Sequence, residues 1–284
     1  MNNLIYIAIP FFVISIIVES IYNYKKKLNF YGNKDTFTSL SMGIGNVVIE
    51  TLVKGVSVFI FFWIYQYRLF DIPNIWWSWI LILFADDFTY YWFHRLSHKS
   101  RYLWASHIIH HTSKRYNLST ALRQTWTGLL SGGFLLWIWM PLLGFHPLMI
   151  FAMKSMNLIY QFWIHTEAID KMPKFFESIF NTPSHHRVHH GSDLIYIDKN
   201  YAGIFIIWDK LFNTFQPELH RPTYGIMHNI KSYNPIYVAF HEWYSILKDL
   251  KFSHTFQQNL YYIFKAPGWS HDGSRKTIEE LRGA

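Results

Sequence analysis

The chain has 284 residues, of which 51% are hydrophobic and 20% aromatic, whereas only 15% carry a charge. That charged share lies well below the roughly 25% of soluble domains, so the composition favours an integral membrane protein. The chain contains no cysteine, which excludes disulfides and thiolate metal sites. Its net charge of +8 accompanies no nucleic-acid-binding motif, so we expect anionic lipid headgroups rather than nucleic acid as the counter-charge.

Five apolar stretches approach the length of about 20 residues that a helix needs to cross a bilayer. The first, residues 1–22, lacks a basic leader and a small-residue cleavage site, which predicts a retained membrane anchor rather than a signal peptide. A buried core helix is the alternative for this stretch. The other four are residues 47–65, 74–93, 127–145 and 147–164. A short link at residues 144–147 makes the last two a hairpin that either spans the bilayer or only dips into it.

Ionisable side chains occur inside these stretches, where they are costly and therefore mark functional positions. They are Glu50, Lys54, Asp86, Asp87 and Lys154. Glu50 and Lys54 are four residues apart, so they can pair on a helix. The fold that we predict is an all-α integral membrane protein with about four to five transmembrane or re-entrant helices and a cytosolic, histidine-rich helical cap.

The distribution of lysine and arginine predicts the orientation. Residues 94–126 contain six basic residues and no acidic one, which is typical of a cytosolic segment. This orientation places the N-terminus outside and every histidine group on the cytosolic side of a bacterial cytoplasmic membrane or the endoplasmic reticulum. We predict one membrane-embedded domain over residues 1–284, with anchor helices in residues 1–85 and a catalytic region in residues 86–270.

Ten of the sixteen histidines fall into four groups between residues 94 and 190. Histidines three and four residues apart lie on one helix face, so HRLSH, HIIHH and HRVHH each direct imidazoles to one point. Eight or more nitrogen ligands exceed the needs of one ion, so the spacing predicts two metal ions. His185 points about 100° away from His186 and is the weakest candidate of its group. His165 is either a ligand or an interface residue.

Two other interpretations of the histidines fit the sequence less well. A single helical histidine is usually a hydrogen-bonded polar residue, but three repeats of one spacing argue against that interpretation. A metal-sequestering tract is typically of low complexity, whereas these histidines lie within apolar, aromatic-rich sequence. A metal site is therefore favoured.

Asp87 and Tyr91 precede His94 and His98 at helical steps of four, three and four residues. A metal-bound imidazole usually donates the N–H of its other ring nitrogen to a carboxylate, so we expect Asp87 to orient a metal-binding histidine. The alternative is that Asp87 caps a helix or pairs with Arg95.

The strings DFTYYWFHRLSH, WASHIIHH and HHRVHH resemble the histidine motifs of the fatty acid hydroxylase and sterol desaturase superfamily of membrane di-iron enzymes. The longer strings YNLSTALRQ, LIYQFWIHTE, IFNTPSHHRVHHG and DKNYAGIFIIWD are similar to its alkylglycerol monooxygenase subfamily, over roughly residues 86–270. That resemblance implies O₂- and tetrahydrobiopterin-dependent cleavage of the ether bond of alkylglycerol lipids to a fatty aldehyde and a glycerol derivative. An electron donor, a pterin or a redox protein, is implied with it.

Carried over by motif, the resemblance implies nine di-iron ligands: His94, His98, His107, His110, His111, His165, His186, His189 and His190. Asp87, Tyr91 and Glu167 are candidate catalytic residues. Asn200 and Tyr201 are expected to bind the lipid headgroup; the alternative is that DKNYAG forms a tight turn with a packing tyrosine.

Two competing functions remain open at this stage. A sterol or fatty-acyl hydroxylase or desaturase would share the metal site but differ in lipid groove and electron donor. A non-catalytic membrane protein that binds or transports iron would also place histidines and acids within a membrane.

Overall fold

The computed structural model describes residues 3–283, which contain α-helices and short 3-10 turns and no named β-strand. The longer helices are α1 (Asn3–Lys25), α2 (Asn33–Tyr65), α3 (Trp76–Lys99), α4 (Arg101–His111), α7 (Pro147–Trp163), α11 (Pro235–Phe252) and α12 (Phe256–Phe264). The short helices are α5 (Gly128–Ser131), α6 (Trp139–Leu143), α8 (Lys174–Ile179), α9 (Pro183–His189), α10 (Ile207–Leu211) and α13 (Ile278–Arg282). The all-helical prediction is confirmed for these residues.

Two of the described helices are long and apolar enough to cross a membrane. They cover Leu4–Lys25 in α1 and all of α2. Only 11% and 6% of their most apolar windows are buried inside the protein, so these apolar surfaces face outward rather than into a protein core. Such surfaces are expected of helices that contact lipid.

The predicted stretches 74–93 and 147–164 correspond to α3 and α7, which pack against each other. α3 continues beyond the predicted stretch and carries the first histidine motif on the same helix. α7 begins at Pro147, where His146 caps it by accepting a hydrogen bond from the Leu148 amide at 3.2 Å.

The prediction of one apolar helix over residues 127–145 is wrong. This segment consists of α5, a 3-10 turn at Gly133–Trp137, and α6. The chain turns at Gly132 and Gly144, whose φ angles are 66° and 127°. Residues other than glycine rarely adopt such angles. A β-carbon on Gly133 would lie 2.4 Å from the Phe93 ring, so this glycine allows the broken segment to pack closely against α3.

Two apolar clusters hold the helices that carry histidines. One joins α2, α3, α6 and α7 through Phe61, Ile82, Met140 and Ile150. The other joins α2, α4 and α11 and contains Met42, Ile108, Ile109, Val238 and Ala239. Full burial of each larger side chain contributes about 1.5–3 kcal/mol, so these clusters fix the relative positions of α3, α4 and α7.

Candidate metal centre

The histidines come from four elements that end in the same region. His94 and His98 lie on the last turns of α3, and the three histidines of HIIHH lie on the last turns of α4. Ser100, with extended backbone angles, separates these two helices, and they pack together. His165 follows α7 directly, and the HRVHH motif forms α9 and its C-terminal cap.

All nine expected ligands assemble into two groups. Within each group the candidate ligand atoms lie within 4.8 Å of one another. Group one contains His94, His98, His107, His111 and His189, and group two contains His110, His165, His186 and His190. His185 belongs to neither group, and its ring packs against Phe215.

The imidazole nitrogens of each group lie at separations that suit a shared ion. The Nε2 atom of His107 is 2.9 Å from that of His94 and 3.2 Å from that of His111. In group two, the Nε2 atom of His165 is 3.1 Å from that of His110 and 3.0 Å from that of His186. Two nitrogens bound at right angles to one ion, each about 2.1 Å from it, would be about 3.0 Å apart.

Backbone carbonyls orient four of the imidazoles. The Nδ1 atoms of His94, His110, His165 and His189 face the carbonyl oxygens of Tyr201 (2.8 Å), Arg123 (3.3 Å), Gln161 (2.7 Å) and Lys199 (2.9 Å). Because a carbonyl only accepts, each Nδ1 carries the proton and each Nε2 keeps a lone pair for the centre of its group.

The positions of these protons indicate whether the two histidine groups can bind metal ions. The Nε2 lone pairs of His110 and His165 face each other at 3.1 Å with both protons held elsewhere, a contact that a cation would make favourable. Three further ring nitrogens, the Nε2 atoms of His98, His189 and His190, are buried without a hydrogen-bond partner. Such orphaned nitrogens are costly unless something binds them. The donor sets therefore fit two metal ions.

The same burial keeps the imidazoles neutral. It lowers the pKa of His110 to about 4, and it holds the pKa of His107 and His111 well below the ordinary value. Neutral imidazole is the form that binds transition metals.

Asp198 is a site residue that the sequence did not reveal. Its Oδ1 atom is 3.5 Å from Nδ1 of His98, and its Oδ2 atom is 3.0 Å from Nζ of Lys99. Burial raises the pKa of Asp198, but His98 and Lys99 outweigh that effect and lower it to about 2. The signal in the sequence is its position in the turn-forming string DKNYAG, and the structure gives Asp198 a left-handed φ of 59°.

The expectation that Asp87 orients a histidine is wrong. Its carboxylate accepts from the amides of Ile204 (2.7 Å) and Phe205 (2.9 Å) and from the Trp208 indole (2.9 Å). Seven residues separate Asp87 from His94, about 10.5 Å along a helix, which exceeds the reach of an aspartate. Backbone carbonyls and Asp198 take the orienting role instead.

The other two candidate catalytic residues also contact no histidine by a hydrogen bond. Tyr91 is buried, and its hydroxyl lies 2.9 Å from Thr214 Oγ1 and accepts from Arg95 at 3.1 Å. Glu167 accepts from the Tyr224 hydroxyl. Two stacked rings, Tyr224 on Tyr116, separate this carboxylate from His165 and His190.

Asn200 and Tyr201 are both fully buried. Asn200 adopts a left-handed φ of 55°, donates to the carbonyls of His185 and Gln216, and accepts from the Gln216 amide. These bonds leave its amide no free group for a headgroup, so the structure corrects that expectation in favour of the tight turn. The Tyr201 ring packs on three histidines of group one, and its hydroxyl has no hydrogen-bond partner.

Two buried arginines also support the site. Arg187, inside HRVHH, pairs with Glu218 at 2.7 Å and donates to the carbonyls of Thr166 and Ile169. Arg123, whose carbonyl accepts from His110, pairs with Asp35 at 2.9 Å. Their positions next to histidine motifs were visible in the sequence, but their burial was not.

One cavity, of about 380 Å³, touches both metal groups. His107, His110 and His165 line one part of it, and apolar side chains of α2, α3 and α7, including Val53, Phe93 and Leu158, line the rest. Glu50, Asp86 and Lys154 also reach its wall, which places three of the ionisable residues singled out in the sequence beside the site.

A second cavity, of about 650 Å³, reaches group one from another direction. His98, His111 and His189 line its inner end beside Trp104. α11 and the segment between α12 and α13 form other parts of its wall, and its charged lining residues include Lys99, Arg101, Glu242 and Arg275. This cavity thus has more charged side chains than the first and touches only one metal group.

The comparison with known families agrees with this geometry. Residues 79–214, which include all nine histidines, match the fatty acid hydroxylase family model. The resemblance seen in the motifs is thus confirmed for these residues. No solved structure matches the chain.

Three individual relatives are similar to the chain over most of its length. The chain is 40% identical to alkylglycerol monooxygenase of Homo sapiens over 280 residues, which cover 96% of this chain and 61% of that protein. It is 39% identical to the Xenopus tropicalis alkylglycerol monooxygenase, with the same coverage. A cholesterol 25-hydroxylase-like protein of Danio rerio is 29% identical over 64% of this chain and 73% of its own length. The chain thus spans about three fifths of the length of these two alkylglycerol monooxygenases.

Proposed function

We propose that the protein is a membrane-bound, di-iron lipid monooxygenase that cleaves the O-alkyl bond of alkylglycerols. The observation that carries the proposal is the cavity that touches both histidine groups and continues between apolar helices. The similarity to two vertebrate alkylglycerol monooxygenases supports the choice of lipid.

Iron is proposed because residues 79–214 match the fatty acid hydroxylase family model and because imidazole suits iron among other transition metals. Group one and group two would each hold one ion. When bound, the iron pair supplies the power to activate O₂ for attack on an unactivated C–H bond.

The protein's own residues position the lipid and exclude water. The alkyl chain would lie along Val53, Phe93 and Leu158, with the carbon next to the ether oxygen beside His107, His110 and His165. Insertion of one oxygen atom into that C–H bond gives a hemiacetal. The second oxygen atom leaves as water after taking up two electrons and two protons from a reductant. The hemiacetal then collapses to a fatty aldehyde and a glycerol derivative.

The second cavity is the proposed site for the reductant, for which the resemblance implies tetrahydrobiopterin. Trp104 offers an aromatic wall, 4.9 Å from the His98 ring between ring centres. The buried Nε2 atom of His241 in the same wall has no hydrogen-bond partner, so it is available to a polar heterocycle. Reductant and lipid would thus reach the centre from different directions.

We further propose a multi-pass arrangement with the histidines on the cytosolic side. The excess of basic residues in 94–126 supports this orientation. The two apolar helices with outward-facing surfaces support the membrane location.

Hydroxylation of a different lipid is the second candidate function. The similarity to a cholesterol 25-hydroxylase-like protein over 64% of this chain favours it. A sterol or acyl substrate would be converted without release of an aldehyde. An iron-binding or iron-transporting protein would consume no O₂ when lipid is added.

The test is aldehyde release from an alkylglycerol by detergent-purified, iron-loaded protein under air with tetrahydrobiopterin. The proposal expects aldehyde from the wild type and none from His107→Ala, which loses a ligand that lines the lipid cavity. His254→Ala is the matched control, because this exposed histidine lies outside both groups. A lipid product without aldehyde would favour the second candidate, and no lipid-dependent O₂ uptake at two bound irons would contradict both.

A further inference from the structure

The helices α11 and α12 present an apolar surface that no described part of the protein covers. Along one face of α11 the exposed apolar side chains are Ile236, Tyr237, Phe240, Tyr244 and Leu247, and on α12 they are Phe256, Leu260 and Phe264; Phe252, the last residue of α11, is exposed outside this face. Tyr244 is 69% exposed and Phe256 76% exposed, so these aromatic rings contribute almost nothing to the core. We call this set of eight side chains the outer stripe.

The outer stripe follows the helical period. At 100° per residue, its five members on α11 fall within one sector of about 100°. Val238, Ala239 and Ile246 lie on the other side of the helix and are buried. The first two of them pack in the cluster with Met42 and Ile109. α11 is therefore apolar on two faces, of which the protein covers one.

Acidic and basic side chains occupy different sides of α11. The acidic residues Glu242 and Asp249 each accept from the buried Arg101 at 2.6 Å on the inner side. Lys248, Lys251 and Lys265 are exposed at the edges and ends of the outer stripe. An apolar stripe flanked by lysines without acids fits a surface that is apolar within and anionic at its boundary.

The position of α11 connects this surface to a candidate membrane helix. Thr38 Oγ1 of α2 donates to the carbonyl of Tyr233, just before α11, at 2.7 Å, and α11 packs against α2. Phe37 and Ile44 on the same part of α2 are 63% and 69% exposed. The outer stripe thus lies beside apolar surface of a helix that is long and apolar enough to cross a bilayer.

We propose that α11 and α12 form an interfacial anchor that lies in the membrane plane, with the outer stripe among the acyl chains and the lysines at anionic headgroups. The ligand is the lipid surface itself, and the proposal is independent of which lipid the enzyme oxidises. Because His241, Glu242 and Ser245 on the same helix line the second cavity, the anchor also holds that cavity next to the membrane surface.

The absence of native cysteine allows a direct test on the full chain. Single variants Tyr244→Cys and Phe256→Cys, each with a fluorescent maleimide label, are placed in nanodiscs of phosphatidylcholine and phosphatidylglycerol with or without brominated acyl chains. Both side chains are exposed, so neither substitution removes a core contact. Asp272→Cys, at an exposed polar position outside the stripe, is the matched control.

The proposal expects brominated lipid to quench the labels at 244 and 256 about threefold more strongly than the label at 272, and aqueous iodide to show the reverse order. Equal quenching by iodide at all three positions would overturn it. Protection from both quenchers at 244, together with a disulfide-linked dimer of Tyr244→Cys, would also overturn it, because a second copy would then cover the stripe.

Discussion

For five of the nine histidines, a nearby oxygen atom determines which ring nitrogen points to the centre of the metal group. Four Nδ1 atoms face backbone carbonyls, and that of His98 faces Asp198. Such partners fix the ring orientation and raise the basicity of the ligand. The site therefore depends on residues that never contact the metal.

Asp198→Asn tests this dependence. The amide keeps the shape of the side chain but loses the negative charge beside His98, so we expect the affinity for the metal to fall by about 10–100-fold with the fold intact. Competition with a metal-binding dye measures the affinity, and circular dichroism measures the fold. Asp71→Asn is the control, because it removes a carboxylate whose exposed ion pair with Arg68 is remote from the site. Equal affinities in the two variants would contradict the role of Asp198.

At the residue scale, the sequence predicted the candidate histidine ligands but not the oxygen atoms that orient them. The i, i+4 pairs His94/His98, His107/His111 and His186/His190 each lie within one group, because that spacing directs side chains to one side of a helix. The expectation that a whole motif serves one point is wrong for HIIHH and HRVHH, since His110 and His189 each belong to the other group, and no spacing marked His165. Carbonyl partners belong to every residue alike, so no residue type marks them. Asp87 shares the predicted helix face with His94, but a distance of two turns prevents contact.

Among the helices that carry candidate ligands, α9 is the shortest. It has seven residues, fewer than an isolated helix needs to be stable, yet it presents three ligands. The buried Arg187 holds it through Glu218 and the carbonyls of residues 166 and 169.

Arg187→Lys should therefore destabilise α9 specifically. Lysine keeps the charge but loses the planar group that donates several hydrogen bonds at once, and we expect about 3 kcal/mol less free energy of unfolding. Thermal unfolding in detergent measures the loss. Arg221→Lys, at a half-exposed arginine with ion pairs of its own, should cost less than about 1 kcal/mol. Similar costs for both variants would show that α9 does not rely on Arg187.

The connection between α3 and the segment after α9 gives a second test at this scale. Asp87 accepts three hydrogen bonds from residues 204–208. Asp87→Ala leaves these donors buried and unpaired, so we expect about 3 kcal/mol of destabilisation. The same thermal measurement applies, with Asp71→Ala as the control. An unchanged unfolding temperature for Asp87→Ala would refute the connection.

The prediction of one continuous helix failed where tertiary contacts, rather than apolar composition, determined the backbone. Residues 127–145 are apolar enough for a helix, but the turns at Gly132 and Gly144 and the close packing of Gly133 on Phe93 divide the segment. The amphipathic helix α11 was not singled out from the sequence, because both of its sides contain large apolar residues. Only burial distinguishes the side that packs on α4 from the exposed outer stripe.

The whole molecule places two cavities around one centre. The first touches both metal groups and lies between apolar helices, and the second touches group one beside charged residues. We propose the first as the route of the lipid and the second as the route of the reductant. Neither cavity could be predicted from the sequence, because each is lined by residues that lie far apart in the chain.

The most direct test of the account is the number of iron ions bound per chain by purified, iron-loaded protein, measured by mass spectrometry for the wild type, His111→Ala and His186→Ala. The two substitutions affect group one and group two respectively. We predict about two ions in the wild type and about one in each variant, because each group holds its own ion. A wild type that binds one ion or none, or variants that both keep two, would contradict the two-group centre on which the proposed lipid oxidation depends.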